Sequence, residues 1–90
     1  MSESENESLL KFPCSFPIKM MGRDDPGFRD TVTAIVEKHA GPVSEDAIKA
    51  APSSKGNFIA ITITIDAESQ EQLDNIYQDL TANEDVLFSL

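Results

Sequence analysis

The sequence predicts an α+β fold of the ferredoxin-like βαββαβ kind: a four-stranded antiparallel sheet with two helices on one face. Three observations lead there. In residues 57–66, Ile59, Ile61, Ile63 and Ile65 point one way while Phe58, Ala60, Thr62 and Thr64 point the other, the period of two of a central strand. Two amphipathic helical stretches alternate with strand-like segments in the order β-α-β-β-α-β. A chain of 90 residues suits one core, burying about 60–65% of its unfolded surface.

Residues 1–8 offer no apolar run and carry Glu3, Glu5 and Glu7; they are expected to form a disordered acidic tail ahead of a single domain over residues 9–90. Leu9, Leu10 and Phe12 supply anchors for the domain's flank. In residues 14–22, Phe16, Ile18 and Met20 alternate with Pro17, Lys19 and Met21, a first strand. Pro17 has no amide hydrogen, so this strand is expected to pair on both sides only beyond it.

Gly22 breaks the strand. Asp25-Pro26 is expected to start a helix, with the acid as cap and proline where no donor is needed. Phe28, Val32, Ile35, Val36 and His39 then form one stripe, and Gly41-Pro42 ends it. His39 falls in the last turn, where the helix dipole favours an imidazolium. With one histidine and one cysteine in the chain, that ordinary role is preferred to a catalytic one, and no metal site or cofactor is expected.

Residues 43–51 form a weaker segment ending at Pro52, which suits an edge strand. Residues 52–57 connect a hairpin, with Gly56 supplying a positive φ. A second helix is expected over residues 67–81, with Leu73, Ile76, Tyr77 and Leu80 on one side. Ser69 and Gln72 have capping-box spacing, so Asp66 and Ser69 compete as its cap. Residues 82–85 turn into a last strand, in which Val86, Phe88 and Leu90 alternate with Leu87 and Ser89. Right-handed crossovers make the strand order 4-1-3-2.

Sixteen acids against seven bases give a net charge of −9; without the three tail acids the balance is 13 to 7, or −6. Such a surface repels phosphate backbones and anionic lipid, so neither nucleic acid nor membrane is an expected partner. A lone cysteine forms no internal disulfide, and no N-terminal apolar stretch resembles a signal or a span. A cytoplasmic location is expected, with Cys14 reduced and without the basic neighbours that stabilise a thiolate.

Three segments taken together, Leu9-Leu10-Lys11-Phe12-Pro13, Phe16-Pro17-Ile18-Lys19-Met20-Met21-Gly22, and Pro52-Ser53-Ser54-Lys55-Gly56-Asn57 leading into the Ile/Thr strand, resemble the YbeD-like family of small uncharacterised bacterial proteins. The resemblance covers residues 9–90. It implies a ferredoxin-like fold similar to ACT-type regulatory domains and brings no catalytic residues. Asp24-Asp25-Pro26-Gly27-Phe28 is similar to the loop with which ACT domains hold a small amino acid against a neighbouring subunit.

Three candidate sites follow. In the loop Gly22, Arg23, Asp24, Asp25 and Gly27, an acid can take a ligand's ammonium while helix-start amides take its carboxylate; the ordinary alternative is that Asp25 caps the helix and Asp24 is solvated. Ser53, Ser54, Lys55, Gly56 and Asn57 form a hairpin suited to partner contact or, less well, an anion, without the order of a phosphate loop. The open sheet face carries Pro17, Lys19, Met21, Phe58, Ala60, Thr62 and Thr64, with Leu87 and Ser89. An RNA-recognition face would stack more than one aromatic there beside basic residues. Met, Thr, Ala and Leu suit sheet-to-sheet packing or strand-edge pairing between identical subunits instead. An acylphosphatase-like site at Gly27-Phe28-Arg29 is disfavoured because Asp24 and Asp25 would repel its anion, and no nucleophile–base pair appears elsewhere. The expected function is a non-catalytic, dimeric, ACT-like regulatory module that senses a small metabolite or docks on a protein. The alternative is an adaptor without a ligand.

Overall fold

The computed structural model describes residues 11–53 and 56–89. The acidic tail, Leu9, Leu10, Ser54, Lys55 and Leu90 lie outside that range, and so do the expectations placed on them. The elements are β1 (Cys14–Arg23), α1 (Phe28–Ala40), a 3-10 turn (Glu45–Ala47), β2 (Ile48–Pro52), β3 (Phe58–Ala67), α2 (Gln70–Ala82) and β4 (Val86–Ser89). The sheet runs β2-β3-β1-β4 with every pairing antiparallel, the expected 4-1-3-2 read from the other edge. The fold is the α+β ferredoxin-like sandwich.

The registers follow the hydrophobic pattern. Ile63 is paired with Ile18 on β1 and Ile48 on β2, and Ile61 with Met20. These positions form one floor, because a one-residue slip would turn every isoleucine to the other side. Phe28, Val32 and Val36 of α1 and Leu73, Ile76 and Leu80 of α2 close over it, and all six are buried. Pro17 pairs with Thr64 on the β3 side, whereas the described residues of β4 reach Met20, Met21 and Gly22. A neighbour on each side is therefore found only beyond the proline, as expected.

Three local details differ from the sequence pattern. First, α1 begins at Phe28 behind Gly27, with no side-chain cap. The Asp25 carbonyl, not its carboxylate, accepts the Phe28 amide at 3.1 Å, so Asp25 does not cap the helix. Second, α2 starts at Gln70, because Asp66 and Ala67 remain in β3, paired with Ser15 and Cys14. Ser69 is its cap, its Oγ accepting the Gln72 amide at 3.0 Å, while the Gln72 side chain accepts the Glu68 amide at 2.7 Å. Third, a bulge between Met21 and Gly22 leaves Leu87 without a β1 partner and sets Ser89 opposite the buried Met20. Ser89 thus lies across from a core position, off the open face. An extra residue in one strand shifts the alternation beyond it by one.

Turn chemistry holds the rest. Gly41 adopts φ +82° and Gly56 φ +78°, conformations that L side chains resist. Beyond α1, Glu37 accepts the Val43 amide at 3.0 Å, fixing the path into the 3-10 turn. Between the helices, His39 Nε2 lies 2.7 Å from Asp79 Oδ2, and Gln72 Nε2 donates to the His39 carbonyl at 3.2 Å. His39 accordingly ties the two helices together, which adds to the helix-end role expected of it.

Candidate functional site

The loop after β1 is built by short bonds. The Asp25 amide donates to the Arg23 carbonyl at 2.8 Å, and the Asp24 amide donates to the Asn57 carbonyl at 3.1 Å. Gly22 is buried beneath Phe28 and the Asp85 backbone, where no side chain fits. It shapes the loop and does not line a cleft.

The rest of the loop divides between two depressions. Arg23, Asp25 and Gly27 line a cleft of about 170 Å³ together with Phe28, Thr31, Glu84, Asp85 and Leu87. Asp24 turns the other way, into a shallower hollow shared with Arg23, Asp25, Gly56, Asn57 and Phe58. The hairpin and the loop, two separate candidates in the sequence, are therefore neighbours.

Thr31, Glu84 and Asp85 were not legible as site residues, and Leu87, expected on the open face, lines the cleft instead. They join the cleft because β4 pairs with the end of β1 (Gly22 opposite Val86), bringing the turn before β4 against the start of α1. Asn83 shapes that turn: its Oδ1 accepts the Asp85 amide at 2.8 Å, and its carbonyl accepts the Val86 amide at 3.1 Å. The signal for it was Asn83 itself, a residue that favours such side-chain-closed turns.

The cleft has a buried aromatic floor at Phe28, an apolar rim at Leu87 (51% exposed), and charges of both signs. Arg23 can take a carboxylate, and Asp25, Glu84 and Asp85 can take an ammonium. Among the described residues no three His, Cys, Asp or Glu side chains gather into a metal-holding group. Asp79 lies away from the cleft. The hydrogen bond from His39 holds its carboxyl below the usual value of 3.8, reinforced by Lys38 at 3.6 Å.

The β1 and β3 positions of the open face lie as the sequence implied. On β4 the bulge sets Phe88, and not Leu87 or Ser89, opposite an open-face position, Met21. Lys19 is opposite Thr62, Pro17 opposite Thr64, Met21 opposite Ala60, and Arg23 opposite Phe58. Phe58 is 39% exposed, while Met21, Ala60, Thr62 and Thr64 are half-buried. The register adds Lys49, which lies opposite Thr62 from the β2 side. Ser53 stands at the hairpin base, its amide donating to the Phe58 carbonyl at 2.8 Å. Cys14 is half-buried against the core and unpaired. Among the described residues no helix is long and apolar enough to cross a membrane.

The family model described as "Protein of unknown function (DUF493)" matches residues 7–90. A UPF0250 protein of Neisseria gonorrhoeae (strain ATCC 700825 / FA 1090) is 47% identical over 85 residues, 93% of each chain. One from Paraburkholderia phytofirmans is 45% identical over 80 residues, covering 89% of this chain and 90% of the relative. One from Chromobacterium violaceum is 43% identical over 79 residues, covering 88% and 89%. These names assign no activity, and they agree with the YbeD-like resemblance.

Proposed function

Since the chain belongs to the DUF493 family, we propose that it is a non-catalytic, ACT-like regulatory module that binds a small zwitterion in the cleft at the start of α1. The observation that carries this reading is the cleft's mixed lining: one guanidinium and three carboxylates around Phe28 and Leu87. An α-amino acid with an apolar side chain presents the complementary set, a carboxylate, an ammonium and a small hydrophobic group. About 170 Å³ suits a molecule of that size.

The module is dimeric in this reading. The pairing uses a sheet edge, because Lys19 and Lys49 would oppose themselves in a face-to-face arrangement. Location in the cytoplasm is part of the same proposal.

The test is a thermal-shift screen with the twenty amino acids at millimolar concentration. A ligand that binds only the folded state raises the melting temperature. A rise with a few apolar amino acids, and none with their N-acetyl derivatives, supports the reading. A flat response to all twenty removes it. Light scattering that finds a monomer at micromolar protein removes the dimer.

A further inference from the structure

We propose that the open face of the sheet docks an acidic segment of a partner protein, independently of the cleft. The argument begins with charge. The chain carries −9 overall, yet among the described strand residues the registers place Lys19, Arg23 and Lys49 on this face with one acid, Asp66, while Asp24 and Asp25 lie beside Arg23 and Phe58 at the hairpin end. Asp66 stands at the far end, opposite Ser15. Around Lys19 and Lys49 the face is therefore locally cationic on an otherwise acidic molecule.

Lys19 and Lys49 lie on either side of Thr62, on the strands flanking β3. Their backbones are about 10 Å apart, two strand spacings, so both can reach carboxylates of one extended or helical segment. Lys19 and Lys49, which do not line the cleft, are exposed, and among the described residues neither makes an ion pair. Their charge is thus available to a partner. Beside them Phe58 is 39% exposed and Met21 half-buried, a small apolar strip of the kind that anchors a charged rim.

Other occupants fit less well. RNA needs several stacking aromatics on the central strands beside clustered basic residues, whereas the central strands β1 and β3 supply only Phe58 to this face among the described residues and the chain is strongly acidic. A second copy docked face to face would bring like charges together, which costs several-fold in affinity or more. An acidic protein segment meets the cations with opposite charge and covers Phe58 with its apolar residues.

The experiment is an NMR titration of the full chain with a synthetic peptide of glutamate and leucine, at low salt and at about 0.15 M. Amide shifts are expected along β1, β3 and β2, weakening with salt. The Lys19→Glu/Lys49→Glu variant is expected to lose roughly tenfold or more in affinity, while Arg29→Glu/Lys38→Glu, the same charge change on α1, stays within about threefold. Circular dichroism checks that both variants fold. Absence of shifts, or equal losses in the two variants, overturns the proposal. So does a poly-uridine oligonucleotide binding in the peptide's place, or self-association that Lys19→Glu/Lys49→Glu abolishes. Shifts of the same face on deleting residues 2–8, with no response to the peptide, would assign it to the chain's own tail.

Discussion

The Phe28 ring lies directly over Gly22: a Cβ built on Gly22 would come within 2.5 Å of Phe28 Cζ and of the Asp85 carbonyl oxygen. The last core position of β1 is thus kept empty so that the first residue of α1 can lie flat and form the cleft floor. The same residue brings the turn before β4 close enough to line the cleft.

Gly22→Ala is therefore expected to cost about 2–3 kcal/mol, since one neighbour is an aromatic ring wedged in the core and the other is backbone. Gly27→Ala, where an added Cβ meets nothing within 4 Å, is expected to cost no more than about 1 kcal/mol. Urea denaturation of the two variants measures the difference, and equal losses would contradict the packing described.

The split of the loop separates two adjacent acids. Asp25→Asn is expected to remove any amino-acid-dependent rise in melting temperature, because Asp25 lines the cleft. Asp24→Asn is expected to leave most of it, because Asp24 faces the hairpin. Arg23→Gln should abolish the response to ligand carboxylate, so amino acid amides and free acids would become indistinguishable to that variant.

Acid should loosen the contact between the helices. Asp79 is held below its ordinary value of 3.8 by His39 and Lys38. A carboxyl lowered in the folded state contributes stability that is complete above its unfolded value and is lost as pH falls through the folded one. The melting-temperature gap between the parent and Asp79→Asn is thus expected to be full near pH 6 and to close below about pH 3.8. A gap as large at about pH 2 as at about pH 6 would refute the assignment.

Ser69→Ala should cost about 1 kcal/mol by freeing the Gln72 amide. Asp66→Asn should cost much less, since Asp66 is an exposed strand residue and caps nothing. Equilibrium unfolding of the pair checks which residue begins α2.

Most of the architecture was legible because it is written in local periodicity. The alternating isoleucines of β3, the stripe from Phe28 to Val36 and the stripe from Leu73 to Leu80 each depend on neighbours in sequence. Handedness then leaves one sensible strand order. Element ends were less legible. Whether Asp66 caps a helix or extends a strand depends on Ser15 being there to pair with it, a fact fifty residues away in the chain.

The sequence alone determined the sandwich, the sheet order, the Pro17 limit on β4, the glycine turn at Gly56 and the family. Only the tertiary structure decided that Asp25 reaches the cleft while Asp24 lines only the hollow at the hairpin, that Glu84, Asp85 and Leu87 complete the cleft, and that Lys49 joins Lys19 across Thr62. The physical reason is that periodicity records which side of an element is buried, whereas a site is made where distant elements meet. Register and a single bulge set those meetings, and neither leaves a mark in any one stretch of residues.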